Sequence, residues 1–217
     1  MSKLLNVSSS PHVRCGVSTK NLMYDVAIAM LPATIWGVMQ FGIYSLIVVV
    51  ATVLSCVLSE YLFETLMHKP VTISDGSALV TGMILGLNMP PAIPLWMPIL
   101  GGVFAIIVVK QLYGGLGQNW MNPALAARCF MLISFAQAMT KFTDPVTDAV
   151  ASATPLAAIK AGDTYDLAAM FIGKIPGTIG EVSVIALLIG AAYLLVKKVI
   201  TIRIPAAYIL SFAVFAF

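Results

Sequence analysis

GIYSLIVVVATVLSCVLS, residues 42–59, runs for 18 positions without a charge. A helix rising about 1.5 Å per residue needs roughly that length to cross the apolar core of a bilayer. Upstream, Leu22–Phe41 reads as a first span, with Asp25 near its start and Pro32 inside it. Downstream, the second helix is expected to continue through Glu60 and Glu64 to His68, where Ser74-Asp75-Gly76 breaks the chain. Ser77–Met89 is apolar for only 13 residues and ends at Asn88 and Pro90-Pro91. That is too short to span, and it predicts a half-helix or re-entrant segment. Ile93–Val109 is the next expected span, stopped by Lys110. After the glycines at 114, 115 and 117, Asn122-Pro123 predicts a helix start, with Asn as cap and Pro first, running to about Ala138. Val182–Val196 is another uncharged run, ended by Lys197 and Lys198. Ile204–Phe217 stops after 14 apolar residues, which reads as a chain cut in mid-helix with its C-terminal part missing.

Composition agrees. Of 217 residues, 60% are hydrophobic and 10% charged, for a net charge of +3, and the mean hydropathy is +0.98. Soluble domains carry roughly 25% charged residues. A soluble enzyme and a disordered chain are both excluded, and the long unbroken runs argue against a β-barrel. The expected fold class is an all-α polytopic membrane protein, a helix bundle with half-helix or re-entrant segments. No nucleic-acid partner is expected; membrane lipid is. Cys15, Cys56 and Cys129 are far apart with no CxxC, so no thiolate metal site within the chain is expected. The first twenty residues are polar and lack the apolar core of a signal peptide.

Lys and Arg near span ends set orientation. Lys3, Arg14 and Lys20, then Lys69, then Lys197, Lys198 and Arg203 define three regions that are cytoplasmic together if the 140–180 loop lies outside. The expected division is a cytoplasmic segment over 1–20 and a transmembrane domain over 21–217. Ser77–Met89 and Pro123–Ala138 either both cross or both dip and return. A cytoplasmic Lys110 favours crossing.

Several polar residues have two readings. Arg128, in the second turn of the Pro123 helix, is either a clamp for a phosphate or an electron-rich ring, or an arginine reaching the interface. The helix start offers free N–H groups to an anion, and Gln118, Asn119 and Asn122 add amides. GGLGQN lacks the ending of a nucleotide-binding P-loop, so ATP is not expected. Glu60, Glu64 and His68 recur every four residues on one helix face. They form either a cation or proton site, or a helix end emerging among headgroups. Asp25 and Asp75 are weaker ion-pathway candidates, and Asp75 also suits a cap for the Ser77 helix.

Asp148 followed by Ser152-Ala153-Thr154 resembles the flavinylation motif of bacterial flavoproteins. SPHVR (10–14), SDGSALVTGMILGLNMPP (74–91), KQLYGGLGQNWMNPALAARCF (110–130) and ATPL (153–156) are similar to the D component of the Rnf family. Rnf complexes are ion-translocating ferredoxin:NAD oxidoreductases, related through this component to the B component of the sodium-translocating NADH:quinone reductase. The resemblance implies covalent FMN on the Thr154 hydroxyl through a phosphoester, and an extracytoplasmic Thr154. Asp148, Ser152 and Ala153 would be its recognition motif. Arg128, Gln118, Asn119 and Asn122 would be FMN contacts, and Glu60, Glu64, Asp25 and Asp75 ion-pathway candidates. It further implies a second, non-covalent flavin (riboflavin), the other Rnf subunits and a flavin transferase as partners, a bacterial inner-membrane location, and inverted repeats of which this chain holds one and part of the other. Against it stand a channel or transporter without redox function and a structural membrane anchor.

Overall fold

The computed structural model describes residues 18–143, 150–151 and 167–216. Helix α1 (Thr19–Phe41) opens on Ser18, whose side chain accepts from the Asn21 N–H. It is joined to α2 (Ile43–Leu66) by Gly42 alone, at a φ of 82° that a side chain would strain. These two helices have the length and composition to cross a membrane. The half-helix α3 (Ser77–Leu87) follows, then α4 (Trp96–Val103), which widens without a break into a π-helical stretch, Phe104–Gln111. Next come α5 (Pro123–Ser134), α6 (Ala136–Met139), α7 (Leu167–Ile172), α8 (Val184–Val196) and α9 (Arg203–Ala216). Two antiparallel residue pairs, Phe142 with Ala151 and Thr143 with Val150, are the only strands among the described residues.

Helix α2 is inside out by the standards of a soluble protein. It buries Ser45, Thr52, Ser55, Ser59, Glu60 and Glu64, while Ile47, Leu54, Leu58 and Leu62 face outward. Water would reverse that arrangement, and lipid favours it, because outward leucines cost nothing there and polar groups must find partners inside. Ser55 Oγ donates to the Ile99 carbonyl at 2.7 Å, and Tyr44 OH donates to the Ile93 carbonyl at 2.9 Å. These bonds tie α2 to the α4 segment.

The half-helix α3 lies against α2 through Gly82 and Gly86. A Cβ on Gly82 would stand 2.6 Å from the Val53 Cα, so the two backbones are in direct contact. This is the small-xxx-small mode of membrane helices, and GMILG at 82–86 carries it in plain sequence. Ser77 at the start of α3 meets Lys110, which bonds Glu60 near the end of α2. Ile93 meets Tyr44 at the start of α2. Residues 77–93 therefore cover a length of α2 that is about 24 Å at 1.5 Å per residue, although only Ser77–Leu87 is helical. The segment runs along α2 rather than turning back on itself. Its open helix end is closed by another strand of backbone: Gly180 N–H donates to the Leu87 carbonyl at 2.8 Å and Ile179 N–H to the Met89 carbonyl at 3.1 Å. Non-helical backbone at this depth is tolerated only when satisfied in this way.

One end of the bundle gathers the starts of α1, α3 and α5 and the ends of α2, the π-helical stretch and α8. Gly76 touches Met23 and Tyr24, and Tyr193 OH donates to Asp25 at 2.8 Å. The opposite end holds the α1–α2 junction, residues 88–95 and the close of α5, where the Phe135 ring meets Trp96 edge-on at 5.2 Å.

Two sequence expectations need correction. Lys110 does stand at the end of its span, one residue before the helix closes at Gln111, but it is buried, so it is not a loop charge that reports orientation. Arg128's helix is shorter than expected, breaking at Phe135 before the one-turn α6.

Candidate functional site

The densest polar cluster lies at the first end. Lys110 Nζ donates to Glu60 Oε1 at 2.5 Å and to Ser77 Oγ at 2.6 Å. Gln111 Nε2 donates to the same Glu60 oxygen at 2.8 Å and to Glu64 Oε1 at 3.2 Å. Thr72 completes Glu64, its N–H donating to Oε2 at 2.9 Å and its hydroxyl to Oε1 at 2.5 Å. The side chains of Lys110 and Glu60 are 2% and 0% exposed. Lys110 and Gln111 are sequence neighbours, which an α-helix points about 100° apart. The wider π turn brings both onto Glu60, and such turns recur at functional sites. Glu60 Oε2 has no hydrogen-bond partner among the described residues.

Of the two readings of Glu60 and Glu64, the emerging helix end is overturned, since both are buried within the bundle. His68 does not share their face. It lies past the helix, exposed, with a φ of 53°. Asp75 does what a cap does, accepting from the Ser77 N–H at 2.7 Å and the Ser77 hydroxyl at 2.6 Å. Asp25 is half-buried between the Tyr193 hydroxyl and Lys197, 3.8 Å away.

Arg128 has a protein partner that the sequence did not suggest. Its Nη1 donates to Glu181 Oε1 at 3.0 Å and also bonds Asn88 Oδ1 at the end of α3. The two charged side chains are 36% and 50% exposed. Asn122 caps α5 as expected, accepting from Ala124 N–H and Leu125 N–H. Asn119 donates to the Met121 carbonyl, and Gln118 is exposed in the preceding turn. Asn119 and Asn122 line a cavity of about 200 Å³ with Ser77, Thr81 and Lys110. A larger one, about 610 Å³, opens at the opposite end among Ile93, Pro94, Met97, Phe135, Gln137 and Lys141. Asp148, Ser152, Ala153 and Thr154 lie outside the described residues. The flanking pair, Thr143 and Val150, follows Lys141 at that opposite end.

Buried charge on an inside-out helix, half-helices and backbone-to-backbone glycine contacts define a polytopic membrane protein built around interrupted spans. The sequence model of the NQR2, RnfD, RnfE family matches residues 6–217, and the chain belongs to that family. It is 47% identical over 218 residues to an Acetobacterium woodii protein, named as the D component of a Na(+)-translocating ferredoxin:NAD(+) oxidoreductase complex, covering 98% of this chain and 69% of the relative. It is 40% identical over 220 residues to a Clostridium ljungdahlii protein, named as the D component of a proton-translocating ferredoxin:NAD(+) oxidoreductase complex, covering 95% and 66%. A Methanosarcina acetivorans protein, named as the D component of an ion-translocating oxidoreductase complex, is 31% identical, covering 97% and 67%. The chain thus spans about two thirds of the length of these relatives. The resemblance read from the four sequence blocks is borne out.

Proposed function

We propose that this chain is the membrane subunit of a redox-driven ion pump, passing electrons between ferredoxin and NAD through partner subunits, with Na⁺ or H⁺ as the coupled ion. FMN is held covalently on Thr154, and it supplies the electron-carrying chemistry. The observation that carries this reading is one of sides. Lys20, Lys69, Lys197 and Lys198 belong to the end that gathers Asp25, Glu64 and Tyr193. The chain bearing Asp148 and Ser152-Ala153-Thr154 leaves from the other end. Basic residues favour the cytoplasm, which supports a cytoplasmic segment over residues 1–20 and an extracytoplasmic 140–180 loop.

The residues at that other end suit a flavin ring. The 610 Å³ cavity offers apolar walls at Pro94, Met97 and Phe135, with the Gln137 amide and the Lys141 ammonium at its edge. A flat, largely apolar ring with a polar rim fits such a lining. Lys141 would favour an anionic reduced ring. Asn119 and Asn122 line the cavity at the first end instead. A second, non-covalent riboflavin, the inverted-repeat relation, the flavin transferase and the inner-membrane location complete the proposal and rest on the family resemblance.

Fluorescence in a denaturing gel tests it. The chain made with a flavin transferase is expected to carry a fluorescent band that survives SDS, and Thr154→Val to lose it. An intact mass without added FMN in the matured wild type would sink the covalent site. The rival reading, a channel without redox function, requires that absence.

A further inference from the structure

We propose that Glu60, Ser77 and Glu64 form a site for a small hard monovalent cation, sodium, whose place is taken in this structure by the ammonium of Lys110. The inference rests on the ion-translocating reading above and gives it a residue-level site. A buried ion pair is rarely kept for stability, because an apolar pair of similar size holds a fold as well or better. Ionisable groups buried inside a membrane bundle are rarer still and mark ion paths by default.

Here two buried carboxylates, Glu60 and Glu64, face one buried ammonium. Glu64 is satisfied by Thr72 and Gln111, all neutral donors. Glu60 keeps Oε2 buried and unpartnered, a free ligand position beside the oxygen that holds Lys110. The remaining charged groups around the site do not fill it. Asp75 is engaged by Ser77, and Lys69 turns outward over the Phe63 ring. The second carboxylate therefore supplies the negative charge that a second cation needs. All available ligands are oxygens, which suit a hard cation.

The geometry also gives Lys110 somewhere to go. Lys110 and Ser77 both border the 200 Å³ cavity that carries Thr81, Asn119 and Asn122. An ammonium displaced from Glu60 finds the Asn119 amide oxygen and the Thr81 hydroxyl there. It sits on a π turn, which can tighten to an α turn and swing the side chain away. Sodium enters from the cavity as Lys110 leaves, and the return of Lys110 expels it. With Lys110 held in the cavity and sodium at Glu60, the two carboxylates face two cations, so the cluster goes from one excess negative charge to neutral, with no covalent bond made or broken.

Equilibrium binding of radioactive sodium to the purified complex tests this without requiring turnover. Lys110→Met removes the competitor and is expected to tighten binding at one site by about tenfold or more. Glu60→Gln is expected to abolish binding at that site. The double Glu60→Gln/Lys110→Met variant, free of the buried ion pair, guards against a folding failure of either single variant and is also expected to lack the site. Isotherms that match the wild type in the double variant, or a wild type that binds no sodium, overturn the site. Loss of the covalent flavin signal with these sodium isotherms intact would instead overturn the redox reading and leave the site standing.

Discussion

Lys110 with Glu60 and Arg128 with Glu181 are the same chemistry in two settings. Each joins a cation to a carboxylate 50 or more residues away, with an amide side chain alongside, Gln111 in one and Asn88 in the other. The first pair is almost fully buried and the second is a third to a half exposed. A half-exposed pair rearranges freely and contributes about 0–1 kcal/mol. A buried pair is costly to assemble, and removing one partner strands the other, at about 3–5 kcal/mol. The contrast teaches where to look for a device with two states: the closed cluster cannot lose a charge without another arriving, whereas the open one can.

The comparison breaks most readily at Lys110. Lys110→Ala is expected to destabilise the protein in detergent by about 3–5 kcal/mol, read as a fall in the unfolding midpoint, with Glu60→Gln/Lys110→Met restoring most of it. A single variant that melts with the wild type would show the cluster to be open after all. Next is the seat that brings Ser77 to the cluster. Gly82→Ala drives a methyl into the Val53 backbone and should cost about 1–3 kcal/mol, the usual range for overpacking. It should also loosen protection of the α3 amides in hydrogen exchange, and unaltered exchange would mean that α3 does not depend on this contact. Smallest is Arg128→Ala, expected to shift stability by no more than about 1 kcal/mol. A shift as large as that of Lys110→Ala would place Arg128 inside a closed site.

Local signals were readable in advance. Asn122-Pro123 caps a helix as its chemistry demands, Asp75 caps another, uncharged runs mark α2 and α8, and an apolar run with Asp25 as its only charge marks α1. The Gly82–Gly86 spacing is equally plain in sequence, but the Val49 and Val53 backbone it packs against is named only by the fold. Glu181 gave no signal of its own, being one acid in a long polar stretch. Lys110 does mark the end of a span, as a lysine after an apolar run usually does, but its burial against Glu60 depends on a residue 50 positions away that local spacing does not name.

Residue type and spacing alone determined that this chain lives in lipid, where its helices start and where two of them fall short. Hydrophobic length and capping act between near neighbours, so sequence suffices for them. Which acid answers which base, and which end of the bundle each group occupies, waited on tertiary structure. Those partners sit 50 or more residues apart, and one π turn and one glycine seat decide whether they meet.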